Sequence, residues 1–290
     1  MTRKTDAKPK VVDFHIHVGK RKHWNPAIHA LFKQLNPGLY EVQDEVMTPE
    51  NIIAMLDSCG VDWAVVLAEI SPKVTGVVTN EFVAEFCEKH LDRLIPFCSV
   101  DPTEDQNPAR TLEHAVETLG MRGLKLYPTY QHFYPNAYTT SQAGEKLRKL
   151  YQMAEILGIP VMFHTGTSVF PGARLKYGNP LFLDDLTTDF PELPVIIVHG
   201  GRGPWFEMAF YLTRLHSNVY LEISGLPPKN LLQYFPRIEL IADRVLFGSD
   251  WPGVLSIAEN IEAIRNLDII EMAKSQILGE NAIELLNLEY

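Results

Sequence analysis

Eight short apolar segments recur along this chain, each followed by residues with helical signals, and that alternation restricts the fold more than any other feature. The segments are Lys10–His17, Trp63–Leu67, Leu94–Val100, Gly123–Tyr127, Pro160–His164, Val195–His199, Val219–Ile223 and Arg244–Phe247. Short apolar runs of this kind suit strands buried on both faces of a parallel sheet. A long loop is expected after the first. Helix starts are marked by a capping side chain followed by proline at Thr48-Pro49, Asn107-Pro108 and Asn179-Pro180. Further helices are expected over Asn80–His90, Ser141–Leu157, a segment beginning near Pro204, Lys229–Ala242, Ser256–Asn266 and Glu280–Leu288. Eight such units in 290 residues predict an α/β fold, a (β/α)8 TIM barrel forming a single domain over 1–290, with 1–9 as a flexible tail. A doubly wound sheet fits less well. Its glycine-rich phosphate turn is missing after the first strand, and the partial match at His199-Gly200-Gly201-Arg202-Gly203 follows the sixth.

Composition narrows the function classes. Hydrophobic residues make up 46% of the chain and charged residues 21%, as in a packed globular protein. No run of 18 apolar residues exists, so no membrane span is expected. The basic stretch Met1–Lys10 leads into no apolar region and does not read as a secretory signal. A net charge of −10 argues against a nucleic-acid partner, and Lys20, Arg21 and Lys22 read as a solvated loop. Cys59, Cys87 and Cys98 have no metal-ligand spacing and read as reduced thiols of a cytoplasmic protein. A small molecule is the expected partner. A homodimer stays open.

The informative residues are polar groups at strand ends. In the first strand, Asp13, His15 and His17 alternate with Phe14, Ile16 and Val18. A period of two predicts that the first set faces the barrel axis and the second the helices. A His-x-His pair alone is common. Here His164 ends the fifth strand, His199 ends the sixth, and Asp250 follows the eighth. Four strands therefore finish in a possible metal ligand, at the barrel end where active sites form. A metal there would relieve the cost of several polar groups pointing at one axis. Lys125 is an exception inside the apolar strand Gly123–Tyr127. Two readings are open: an ion pair with Glu69 or Asp101, or a carbamylated lysine able to bridge two metals. His23, His29 and His132 fall in loops on the presumed active face, while His90, His114 and His216 read as shell residues.

Asp13-Phe14-His15-Ile16-His17, His164, His199 before Gly200-Gly201, and Asp250 within Phe247-Gly248-Ser249-Asp250-Trp251-Pro252 resemble the amidohydrolase superfamily. More narrowly, they resemble the amidohydrolase-related branch that includes aminocarboxymuconate-semialdehyde decarboxylase. Asn218–Gly225 and Ile277–Leu288 are similar to that branch's seventh strand and last helix. Lys125-Leu126-Tyr127-Pro128 also resembles the fourth-strand lysine of dihydroorotases, which two-metal members carbamylate. The resemblance implies that His15, His17, His164 and Asp250 hold one divalent metal. His199 would bind a second metal or polarise substrate, and Lys125 would join the ligands if carbamylated. Imidazoles plus a carboxylate with an open position suit Zn2+, and Mn2+ or Fe2+ are compatible.

The reaction implied first is hydrolysis of an amide, ester or lactone carbonyl by metal-activated water, with Asp250 carrying the proton and His199 polarising the carbonyl. The alternative is non-oxidative decarboxylation of an aromatic or enol acid. A third reading is a metal-binding barrel without catalysis. The loops set the substrate. Pro128–Tyr138 is dense in aromatic rings and suits a wall for a planar or cyclic molecule. Tyr127, His132 and Trp251 are candidate contacts, and Arg174 and Arg202 are candidate grips on a substrate carboxylate.

Overall fold

The computed structural model describes residues 9–140, 144–253 and 256–289. Residues 1–8 of the expected tail, and the first residues of the helix expected from Ser141, lie outside the described residues. The strands are β1 (Val12–His17), β2 (Trp63–Leu67), β3 (Glu69–Ser71), β4 (Gly76–Val78), β5 (Leu94–Ser99), β6 (Leu124–Leu126), β7 (Val161–His164), β8 (Val195–Val198), β9 (Val219–Glu222) and β10 (Val245–Leu246). Eight of them form one sheet in the order β1-β2-β5-β6-β7-β8-β9-β10, while β3 and β4 form a separate hairpin. Backbone bonds then join the two edges. Phe14 N donates to Phe247 O at 2.8 Å, Asp250 N to His15 O at 2.9 Å, and His17 N to Trp251 O at 2.8 Å. The eight expected strands are all present, and the sheet closes into a TIM barrel with helices between its strands.

Two apolar layers hold it. Inside the barrel, Val12, Phe14, Val65, Leu67, Phe97, Met162, Ile196 and Val198 pack together, and Ala282, Ile283 and Leu286 of the last helix, Asn281–Leu286, plug the end. Outside, Ile16, Val66, Leu124, Phe163 and Ile197 meet the helices. The helix signals work as the capping rules require. Asn51 N donates to Thr48 Oγ1 at 3.3 Å and Arg110 N to Asn107 Oδ1 at 3.4 Å, opening Pro49–Cys59 and Pro108–Glu117. No helix among the described residues is long and apolar enough to cross a membrane.

Strict alternation fails in β1. Asp13 pairs with Ala64, and the next registered pair is Ile16 with Val66, so three steps along β1 match two along β2. This bulge reverses the side-chain parity. Phe14 faces the barrel interior with its ring edge-on to Phe97, 5.7 Å away, and Ile16 faces the helices. The expectation that Phe14 and Ile16 share a face is therefore corrected, and so is the grouping of Asp13 with the two histidines. The extra residue lets Phe14 fill the core while His15 and His17 both reach the mouth.

Three connections also differ from expectation. The segment after β1 carries the helices Pro26–Leu35 and Pro37–Val46, each opened by an Asn-Pro pair, with Leu39 N donating to Asn36 Oδ1 at 3.1 Å. The single helix expected over Lys229–Ala242 is broken into Leu231–Tyr234 and the tighter turns Ile238–Arg244. Pro236 cannot donate to a helix, and it forces Phe235 to φ −131°. The last helix is preceded by Glu271–Ser275 and a wide turn over Gln276–Glu280.

The plug makes a testable demand. Leu286 is 3% exposed inside the barrel end. Leu286→Ala should lower stability by about 2–5 kcal/mol, read as a shift in the urea midpoint at unchanged slope. An unshifted midpoint would show that the helix does not support the interior.

Candidate active site

β1 and the turn after β10 bring three electron-pair donors together. His15 Nε2 and His17 Nε2 are 3.1 Å apart, and Asp250 Oδ1 lies 3.4 Å and 3.5 Å from them. The turn is clamped from below. Ser249 N donates to Asp13 Oδ1 at 2.8 Å, and Trp251 N donates to Ser249 Oγ at 3.0 Å. Asp250 and His199 both adopt left-handed backbone, with φ 66° and 60°, a strained choice for residues with side chains. Gly225, at φ 65°, permits the crowding between them. A side-chain carbon there would come within 2.7 Å of an Arg202 guanidinium nitrogen and 2.9 Å of Asp250 Oδ2.

A buried network behind the donors decides which histidine nitrogens carry protons. Ser224 Oγ donates to Glu222 Oε2 at 2.9 Å, so its lone pairs must accept. His15 Nδ1, 2.9 Å from Ser224 Oγ, is then the protonated nitrogen, and His15 Nε2 keeps its lone pair for the cluster. His199 Nδ1 lies 2.9 Å from Ser224 O, a pure acceptor, and so donates. His199 Nε2 must therefore accept from His164 Nδ1, 3.2 Å away. That leaves His164 Nε2 as a bare lone pair, and it is buried without a partner. His17 Nδ1 lies 3.5 Å from Glu69 Oε2 and, like His164 Nε2, is buried without a hydrogen-bond partner. Burial pushes His15, His164 and His199 well below the ordinary histidine range, so they are neutral near pH 7. Burial alone would raise Asp250, but contacts with His17 and His15 and the charge of Arg202 hold it at about 2.

Three electron-pair donors this close repel unless a proton or a cation is shared among them. Ligands bound to one ion at about 2.1 Å sit roughly 3–3.4 Å apart, which matches the observed spacing. The donor set therefore fits a divalent metal. His15, His199 and Glu222 also lie within one ligand-sized group. Ser224 already bridges the facing atoms of that group, so it orients the two imidazoles from behind.

The donors open into a cavity of about 270 Å³. Lys125 lines it, fully buried, and its Nζ has no hydrogen-bond partner. Burial lowers its pKa to about 8 against the opposing pull of Glu222, Asp250 and Glu69. The expected pair with a single carboxylate is thus replaced by a field shared by Glu222, Asp250 and Glu69, in which Glu222 acts most strongly. Tyr127 and Tyr130 stack at 5.8 Å and form one wall, with Tyr130 4.7 Å from the His164 ring. Tyr127 OH donates to Ala68 O at 2.9 Å. Arg202 lines the cavity and is anchored by two bonds to Thr167 O, at 3.2 Å and 2.7 Å.

His15, His17, His164, His199, Asp250, Lys125, Tyr127 and Arg202 all come together as the sequence led one to expect. Three candidates do not line this cavity. His132 is stacked on Tyr177 and bonded to Gly172 O at 3.0 Å. Arg174 is exposed. Trp251 is 8% exposed and packs into the helix-side core, although Pro252 and Gly253 beside it reach the cavity. Sequence reasoning missed Glu222 and Ser224. The signal was available, since Glu222 is a carboxylate inside an apolar strand, the same exception that drew attention to Lys125.

With this geometry in place, likeness to other proteins becomes informative. The amidohydrolase family model matches residues 12–288. The γ-resorcylate decarboxylase of a Rhizobium species is 21% identical over 89% of this chain and 91% of its own length. An uncharacterised TIM-barrel protein from Bordetella bronchiseptica superposes with a TM-score of 0.77 at 25% identity, covering 96% of this chain and 99% of that one. A dihydroxybenzoic acid decarboxylase from Polaromonas, solved with manganese and the inhibitor 2-nitroresorcinol, gives 0.71 at 18% identity over 97% and 98%. A probable 2-pyrone-4,6-dicarboxylic acid hydrolase from Acinetobacter baumannii gives 0.67 at 19% identity over 96% and 99%. The last two likenesses speak to the barrel alone, but the family model spans nearly the whole chain: the protein belongs to the amidohydrolase family.

Proposed function

We propose that this protein is a metal-dependent, non-oxidative decarboxylase of hydroxylated aromatic acids, using one divalent ion, manganese or zinc. The observation that carries the reading is the charge arrangement of the cavity. Its floor offers three converging metal donors, its sides carry two cations, Lys125 and Arg202, and a stacked tyrosine pair supplies a flat wall. Two cations beside a metal site suit an anionic planar acid better than a neutral amide or ester. Sequence relatives that match over most of both chains are decarboxylases, so hydrolysis, favoured by the sequence alone, becomes the second reading. The free cysteines Cys59, Cys87 and Cys98 suit a cytoplasmic setting.

His15, His17, His164 and Asp250 would hold the ion, which when bound supplies Lewis acidity at the cavity floor. Arg202 and Lys125 hold the substrate carboxylate, and Tyr127 and Tyr130 lie along the ring. Asp250, ionised at neutral pH, accepts the proton of the neighbouring phenolic hydroxyl. It then delivers that proton to the ring carbon bearing the carboxylate. The carbon–carbon bond breaks, its electron pair restores the aromatic ring, and CO2 departs. The phenoxide left behind takes a proton from water, which balances the reaction. His199 positions His164, since both of its own nitrogens are engaged.

Replacing His15 and His17 together with alanine should abolish metal binding while the barrel stays folded, checked by metal analysis and circular dichroism. Chelation of the wild type should lower its Tm, because an ion bound only by the native state stabilises by mass action. A fully metallated double mutant would overturn the ligand assignment.

The reaction itself is tested by CO2 release from γ-resorcylate with Mn2+-loaded protein, against lactone and ester controls. Turnover is expected on the acid. Asp250→Asn should retain most of the metal and lose at least about 100-fold in kcat. Hydrolysis of the controls with no CO2 release would restore the hydrolase reading.

Lys125 distinguishes one ion from two. His199 has no lone pair to spare for a second metal, so the free ammonium is expected, with one metal per chain and no added CO2 in the intact mass. Lys125→Met should raise KM for the acid by about 10-fold or more, the loss of one charge-assisted contact. Two metals and a carbamate mass would refute the one-ion site.

A further inference from the structure

The cavity has a second, chemically different half that the decarboxylation step does not use. Its lining comes from the additions to the barrel after β1 and β7. Ile28, Phe32 and Leu35 fall at i, i+4 and i+7 on the helix Pro26–Leu35 and so share one face. All three line the cavity, as do Trp24, Val169 and Phe170. Trp24 and Phe32 stack at 6.5 Å with their planes 24° apart. Leu35 is 53% exposed and Val169 72% exposed, so this half forms the mouth, in contrast to the buried histidines of the floor.

The two halves are continuous. Tyr130, which touches the His164 ring, is 3.0 Å from Ser168 Oγ through its hydroxyl, and its ring meets Phe170 edge-on at 5.9 Å. A molecule whose carboxylate is held by Lys125 and Arg202 therefore passes Tyr130 and emerges between Phe32, Leu35 and Val169. The charged side chains that line the cavity among the described residues belong to its inner half: Glu69, Lys125, Arg202 and Asp250. A second carboxylate pointing outward would meet largely apolar walls, with Asn36 and Ser168 as their polar side chains, and no cation. An apolar substituent would cover side chains that otherwise face water.

We propose that the mouth is a subsite for an apolar substituent, so that the substrates are phenolic acids bearing an alkyl or aryl group on the ring edge opposite the carboxylate. This rests on the decarboxylase reading for the identity of the acid, but the subsite itself can be tested without turnover.

The probes are decarboxylated compounds, which bind without reacting. Resorcinol, 5-methylresorcinol, 5-propylresorcinol and 5-pentylresorcinol are titrated into the full-length Mn2+-loaded protein by calorimetry, with 3,5-dihydroxybenzoate as the charged counterpart. Affinity should rise about fourfold for each buried methylene, and 3,5-dihydroxybenzoate should bind more weakly than 5-methylresorcinol. Leu35→Asp and Val169→Asp alter exposed positions and so should fold. Each should flatten the dependence on chain length. CO2 release from γ-resorcylate is measured in parallel. Rising affinity without decarboxylation keeps the subsite and overturns the reaction. Decarboxylation with affinity independent of chain length, or with 3,5-dihydroxybenzoate binding as tightly as 5-methylresorcinol, overturns the subsite and keeps the reaction. No binding by any probe overturns the subsite as well.

Discussion

Two imidazole nitrogens and a carboxylate oxygen held 3.1–3.5 Å apart repel one another, and the barrel mouth is built to keep them there. Left to relax, they would separate or trap protons. Three devices prevent that. The bulge in β1 turns His15 and His17 toward the axis without taking Phe14 out of the core. The buried carboxyl of Asp13 fastens the Asp250 turn through Ser249, while burial raises its own pKa to about 7. Glu222 and Ser224 fix the rotation and tautomer of His15 and His199 from behind. None of these three groups lines the cavity. They bear on the cavity only through the side chains they hold, so their removal would loosen its geometry without deleting a lining group.

The same logic accounts for Lys125. Asp250, Glu222 and Glu69 bring carboxylates to one end of the barrel, and Lys125 is the cation buried in their field. Burial pushes Glu222 up and Lys125 down, so each drifts toward neutrality where the other cannot fully compensate it. A divalent ion on the three donors together with the ammonium would set three positive charges against three carboxylates. A compact, nearly neutral cluster is far cheaper to bury than any of its parts alone. It also leaves Arg202 as the positive charge in the cavity that the cluster does not compensate.

How much of this was legible in the sequence follows from the range of the forces involved. The eight strands could be read because each is a local apolar run, and Asp250, His164 and His199 because each interrupts or ends one. The bulge could not, since the parity of Phe14 depends on how β1 pairs with β2, a contact about fifty residues away in sequence. The helices after β1 were legible and overlooked. Asn25-Pro26 and Asn36-Pro37 carry the signal that identified Asn107-Pro108. His132, Arg174 and Trp251 fall near the right strands, but loop geometry decides where their side chains go, and short-range pattern says little about that. Glu222 needed only the rule already applied to Lys125. Ser224 is different, because a buried serine is unremarkable until its two histidine neighbours are known.

The four-residue likeness at Lys125-Leu126-Tyr127-Pro128 and the pairing of His164 with His199 point to different metal sites. A bridging carbamate requires a second ion, and that ion requires a donor from the neighbouring strands. β7 ends in His164 and β8 is followed by His199, both placed to supply it, yet these two bond to each other, and His199 donates its remaining proton to Ser224 O. One lone pair, on His164 Nε2, remains between them. On the proposed reading that single donor would join His15, His17 and Asp250 and would leave nothing for a second centre. The lysine would then have no ion to bridge. Its ammonium, which lines the cavity with no acceptor of its own, would be left to the anionic group of the proposed substrate.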